Sequence, residues 1–254
     1  MLSDSLCHSQ CETCHAESDA DLLIVKTAVE FAQTRTTILV GDDTDLLILL
    51  LFYVDPDGYN LFFIPEPKTN SLRYRVWNIK SIQAQLGKEV CRNILFIHAV
   101  LGCDTTSRAH EIGKGSALKK FITSAHFREQ AEVFNGIATK EAIETAGHNA
   151  LVIFYNEKPR SQLDDIRYQC YKEKLATRPT HIQHNNLAPT SAAAKYHSYR
   201  VYAQILQWKG NDEDVEEWSW KVRDGQVILV MTYGYATSAR EPTTNSEVKL
   251  CSRM

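Results

Sequence analysis

Residues 37–54 constrain the chain most. Thr37-Ile38-Leu39-Val40 is followed by Gly41-Asp42-Asp43-Thr44-Asp45, and then by nine apolar residues from Leu46 to Val54. A short β-rich run unbroken by charge reads as a buried strand. A segment apolar on every side reads as a helix packed inside a fold. Strand, acidic loop and buried helix in succession predict an α/β architecture. Leu46–Val54 is also the longest apolar run, far short of the roughly 20 residues a bilayer requires, so no membrane partner is expected.

The remaining pattern supports one folded core with further helices. Ser18 or Asp19 can cap a helix whose apolar face is Leu22, Val25, Val29 and Ala32. Asp55-Pro56-Asp57-Gly58 is a turn, with strands expected over Asn60–Ile64 and Arg73–Asn78. Helices are expected near Ile79–Leu86 and Cys91–Leu101, and a helix–turn–helix over Ser107–Phe121 with Gly113 and Gly115 in the turn. Further helices are expected to about Ala146, then near Asp164–Ala176 and from Pro189-Thr190-Ser191 to Trp208. A β segment closes the pattern after Trp218 and Trp220. The expected organisation is a partial or disordered segment at 1–17, a core at 18–150, and a mostly helical appendage with a short β segment at 151–254.

Composition narrows the function classes. Of the 254 residues, 44% are hydrophobic and 23% charged, which fits a folded chain. The net charge is −3, so any nucleic-acid contact must use a local patch rather than the whole surface. Seven cysteines, an odd number, and no basic-apolar-small leader favour free thiols in a reducing compartment. An intracellular placement, in nucleus or cytoplasm, is the resulting expectation.

Three acidic groups each stand at the end of an apolar element: Asp19-Ala20-Asp21, Asp43-Thr44-Asp45 and Asp104 after Val100-Leu101-Gly102. Ligand chemistry in α/β folds gathers at the carboxyl ends of strands. Carboxylates drawn together repel unless a cation lies between them, and a hard ion such as Mg²⁺ takes oxygen ligands. Each pair alone is more often a helix cap or a solvated loop. All three in this order favour a divalent-metal site.

Asp19-Ala20-Asp21, Val40-Gly41-Asp42-Asp43-Thr44-Asp45-Leu46-Leu47, Leu101-Gly102-Cys103-Asp104 and Ile112-Gly113-Lys114 together resemble the internal region and helix–hairpin–helix of flap-endonuclease-like nucleases, members of the PIN-like superfamily. The resemblance covers about residues 15–125. A nearer resemblance, to about residue 234, is to a set of animal proteins, some of which look linked to mobile elements. Their E-A-D, D-T-D-L-L and G-C-D-T-T-S cores are followed by a P-T-S-x-x-A-K helix and a W-G-W segment. Pro189-Thr190-Ser191 through Lys195 and Trp218-Ser219-Trp220 stand at those positions.

The resemblance implies a PIN-like, Rossmann-like parallel sheet with a helix–hairpin–helix. It also implies phosphodiester hydrolysis on DNA or RNA with Mg²⁺ or Mn²⁺. By position, Asp43, Asp45 and Asp104 match catalytic metal ligands, and Asp19 and Asp21 complete the set. The PIN-like fold opens with a strand bearing its own metal-binding Asp. No such strand precedes Asp19, so the chain reads as an N-terminally truncated relative. Glu111 stands where the hairpin carries its first glycine. Both departures leave a second expectation open: a catalytically inactive nucleic-acid-binding or interaction protein derived from that fold.

Other signals are secondary. Arg108, Lys114, Lys119, Lys120 and Arg128 form a basic stretch that could follow a phosphate backbone, or simply a solvated helix face. Cys7, His8, Cys11, Cys14 and His15 offer zinc ligands, but no second Cys/His pair lies at knuckle spacing, so an unstructured start is expected. His98, on an apolar helix, reads as a packed core residue. His181 and His184 read as loop residues. Tyr196, Tyr199, Tyr202 and Trp208 could stack bases but at helical spacing more often cover a core. A haloacid-dehalogenase-type phosphatase would need Gly-Thr after its Asp-x-Asp, whereas Leu46-Leu47 follows Asp45.

Overall fold

The computed structural model describes residues 2–9, 11–16, 19–66, 75–108, 112–155, 161–177, 182, 186–211, 214–223 and 226–230. It is an α/β structure in which helices outweigh a small mixed sheet of three strands. The expectations for His181, His184, Glu111 and Ser18 fall outside the described residues.

The first half alternates as the apolar pattern requires. After α1 (Leu2–His8) and α2 (Asp21–Phe31) come β1 (Thr37–Val40), α3 (Thr44–Tyr53), β2 (Leu61–Ile64) and β3 (Trp77–Asn78). β1 runs parallel to β2, with Leu39 opposite Phe63, and β3 joins β2 antiparallel. Helices α4 (Ile79–Leu86), α5 (Lys88–Ala99), α6 (Lys114–Thr123), α7 (Ala125–Asn135) and α8 (Lys140–Phe154) follow. Then come α9 (Leu163–Thr177), α10 (Ser191–Trp208) and the antiparallel hairpin β4 (Trp220–Arg223) with β5 (Gln226–Leu229).

Helix starts obey local capping chemistry. The side chains of Asp43, Asn78, Ser124, Thr139 and Thr190 each accept an amide N–H at the start of the following helix. Helix α5 is central and packs on α3, α4, α6, α7 and α10. Its Leu95, Phe96 and Ala99 are buried, with the Phe96 ring 4.6 Å from Phe134 and 5.7 Å from Phe127. Helix α10 lies against both α8 and α5, so Tyr199, Tyr202 and Trp208 line the core rather than a base-stacking surface.

Three expectations are corrected. β1 is half-buried rather than buried: Leu39 points inward, while Ile38 and Val40 are 58% and 61% exposed. The strand is the outer one of its sheet, and among the described residues nothing covers its second face. Of the helix–turn–helix expected over Ser107–Phe121, the described residues hold one helix, from Lys114, with Ser107 and Arg108 non-helical and Gly115 inside the first turn of α6. Residues 2–8 form a helix although they carry no apolar period.

Candidate functional site

The acidic loops are brought to one end of the sheet by short connections. Asp43 follows β1 by two residues and accepts the Asp45 N–H at 2.8 Å, so one oxygen of Asp43 serves as the cap of α3. Asp19 accepts the Asp21 N–H at 3.3 Å at the start of α2. Since α2 packs on α3, the two acidic helix starts lie in the same region. The capping role expected of a single pair is therefore present at Asp43, whereas α2 has Ala20 as its N-cap and no side-chain cap bond.

Convergence is visible in the electrostatics. Asp21 is pushed up from 3.8 to about 6, first by burial and then by the charges of Asp19, Asp43, Asp45 and Asp104. Asp104 is also raised, by burial first and then by Asp45, Asp43 and Asp19. Asp21 and Asp104 thus sense the other aspartates singled out in the sequence, although Asp19 and Asp104 are separated by three strands and four helices. Asp104 stands on the same side of the molecule as Asp43 and Asp45.

The donor set is all carboxylate oxygen, which suits a hard divalent cation. The repulsion that, after burial, raises Asp21 is of the kind a bound cation would relieve. The described residues nevertheless contain no group of three or more His, Cys, Asp or Glu side chains already gathered at ligating distance. The carboxylates are within electrostatic reach, and a bound ion would have to draw them closer.

The loop carrying Asp104 is rigidly built. Gly102 adopts φ +105°, and a Cβ there would stand 2.7 Å from the Arg108 Cα, so only glycine fits without displacement. The Thr106 hydroxyl donates to the Ala99 carbonyl at 2.7 Å and accepts the Cys103 N–H at 3.0 Å. The Thr105 hydroxyl donates to Gln204 on α10. These bonds fix Asp104 at the end of α5 while leaving its carboxylate exposed.

Asp45 differs from the other four. It is 9% exposed, and His98 Nε2 stands 2.6 Å from its Oδ1. The sequence reading of His98 as a core residue is right about burial and silent about this bond. The readable signal was a lone imidazole on an otherwise apolar helix face, because a buried polar group needs a partner.

The basic residues divide into two groups. Arg108, Lys114 and Lys119 are exposed, and the Lys114 Nζ lies 3.4 Å from His98 Nε2. Arg128 donates to the carbonyls of Phe121 and Ile122 and pairs with Glu89 at 3.2 Å. Lys120 donates to the Ile153 carbonyl at 2.6 Å, and burial lowers its pKa. Arg128 and Lys120 thus hold helices α6, α7 and α8 together. In the N-terminal cluster, Cys7 contacts the Thr13 hydroxyl and Cys11 the Ser9 carbonyl, while His15 contacts Ser3. These thiols and imidazoles do not converge as zinc ligands among the described residues.

Among the described residues no helix is long and apolar enough to cross a membrane. Comparison with known proteins finds no family model, no curated protein and no solved structure that matches the chain.

Proposed function

We propose that the chain is a divalent-metal-dependent nuclease of the PIN-like, flap-endonuclease-like type, hydrolysing phosphodiester bonds of DNA or RNA. The observation that carries this reading is that the charges of Asp19, Asp43, Asp45 and Asp104 all act on Asp21, which burial first and those charges second raise to about 6. The parallel β1–β2 pair, with acidic residues just past the carboxyl end of β1, supports the fold side of the reading.

In this reading the five aspartates hold Mg²⁺ or Mn²⁺. Bound there, such ions supply an activated water and stabilise the leaving oxygen of a phosphodiester. Asp43 gives one oxygen to the α3 amide and keeps the other for the cation. Asp104, in the loop anchored by Thr105 and Thr106 just past the end of α5, completes the set. Arg108, Lys114 and Lys119 are the exposed cations available to the substrate backbone.

Cleavage of single-stranded and flapped DNA and RNA tests the reading, with Mg²⁺ or Mn²⁺ added or chelated. Activity should require the metal and vanish in Asp43→Asn. Cleavage that persists in that variant points to a contaminant.

A second reading, a non-catalytic nucleic-acid-binding or interaction protein of the same descent, is favoured by the capping bond of Asp43 and by the lack of a gathered ligand group. Binding of the same oligonucleotides without cleavage at any metal concentration would select it.

A further inference from the structure

We infer that His98 is a positioning residue that orients Asp45 for the cation, an inference that rests on reading the acidic cluster as a divalent-metal site. The His98 side chain is 1% exposed and its Nε2 lies 2.6 Å from Asp45 Oδ1. An ionised carboxylate only accepts, so the proton of this bond sits on Nε2. Nδ1 has no partner. A buried bare lone pair costs less than a stranded N–H, which favours a proton on Nε2 over one on Nδ1.

The ring cannot swing away from Asp45. Trp208 of α10 lies against it, with centroids 5.8 Å apart at 45°. The Trp208 carbonyl in turn accepts from the Tyr53 hydroxyl at 2.7 Å. Tyr53 ends α3, the helix whose start carries Asp45. Helices α3, α5 and α10 thus form a closed circuit around the histidine. At the other end of the pair, the Asp45 N–H is held by Asp43. With Oδ1 taken by the imidazole, Oδ2 is the oxygen left to face the other carboxylates. Lys114 adds a positive charge 3.4 Å from the same ring nitrogen. Since Nε2 already donates to Asp45, that ammonium is a neighbour of the pair rather than its hydrogen-bond partner.

The arrangement has the logic of an outer partner that orients a metal-binding side chain, where substitution typically costs about 10–100-fold in metal affinity. The test is Mn²⁺ binding to the full chain, read by calorimetry and by the free-ion paramagnetic resonance signal. His98→Gln, which keeps a donor at the same reach, should bind within about threefold of the unaltered chain. His98→Leu and the shorter His98→Asn should lose about 10–100-fold. Thermal melts identify any variant that fails to fold. If both do, ¹⁵N resonances of the unaltered chain carry the test: a proton on Nε2, with its hydrogen-bonded signal lost in Asp45→Asn, supports the inference. A proton on Nδ1, or equal Mn²⁺ affinity in folded His98→Leu, overturns the inference and leaves the metal site standing. No Mn²⁺ binding by the unaltered chain defeats the site itself and the inference with it.

Discussion

Gly147 of α8 and Ser198 of α10 approach so closely that a Cβ on the glycine would stand 1.8 Å from the serine Oγ and 2.5 Å from its Cβ. Ser198 is 1% exposed and its hydroxyl is committed to the Ala194 carbonyl at 2.7 Å. The two helices therefore meet backbone to side chain, with no flexible tip to yield. This contact sets α10, and with it Gln204 and Trp208, against the end of α5.

Gly147→Ala should accordingly destabilise the chain. Alanine gains about 1 kcal/mol of helix propensity, but forcing a methyl into a filled contact costs about 1–3 kcal/mol. A net loss of up to roughly 2 kcal/mol follows from those two figures. Ser198→Gly on the same background should recover part of it. Urea melts of the single and double variants measure both.

The strand, the acidic loop and the all-apolar helix were legible because each is a local pattern, and β1 and α3 fall where residues 37–54 place them. The cap at Thr190 and the span of α10 were legible for the same reason. What the sequence could not show depends on contacts across long separations. The His98–Asp45 bond joins residues 53 apart. The use of Lys120 and Arg128 as ties to Ile153, Phe121 and Ile122 is invisible in a run of charges. The convergence of five aspartates was a pattern to suspect, and the charges acting on Asp21 and Asp104 give it physical content.

Two buried groups give the metal-free chain opposite responses to acid. Asp21 has its pKa raised from 3.8 to about 6 by burial and by its acidic neighbours. The folded chain therefore binds this proton more readily than the unfolded one, and stability increases as pH falls from about 6 towards 3.8. His197 is depressed from 6.5 to about 4 by burial, its Nε2–H donating to the Val100 carbonyl at 3.0 Å. The unfolded chain takes that proton first, so stability is lost as pH falls from 6.5 towards 4. The two slopes offset one another. Asp21→Asn should expose the loss below pH 6.5, and His197→Gln the gain below pH 6. Chemical denaturation across this range with chelator present separates them.

Divalent metal should act on the same cluster. At pH 8 the repulsion around Asp21 is fully present, so Asp21→Asn should raise the melting temperature of the metal-free chain. Saturating Mg²⁺ or Mn²⁺ should stabilise the unaltered chain, by about 2.7 kcal/mol at a hundred times the dissociation constant. The same variant should lose most of that increment. Gain without metal and loss with it is the signature of carboxylates assembled for a ligand at the expense of stability. Melting curves with chelator and with metal decide it, and an equal metal response in both proteins would count against the cluster.

β1 provides the sharpest contrast between neighbouring residues. Leu39 is buried, on a strand packed by α2 and β2, whereas Ile38 and Val40 lie on the open face. Truncating a buried leucine removes its transfer energy and leaves a cavity, so Leu39→Ala should cost about 2–5 kcal/mol. Ile38→Thr keeps the β-branch the strand favours and exposes no more apolar surface, and should stay within about 0.5 kcal/mol. Were the strand sheathed on both faces, the two substitutions would be comparably damaging. Denaturant midpoints of the pair distinguish the cases, and a large loss in Ile38→Thr would mean that the second face of β1 is covered in solution.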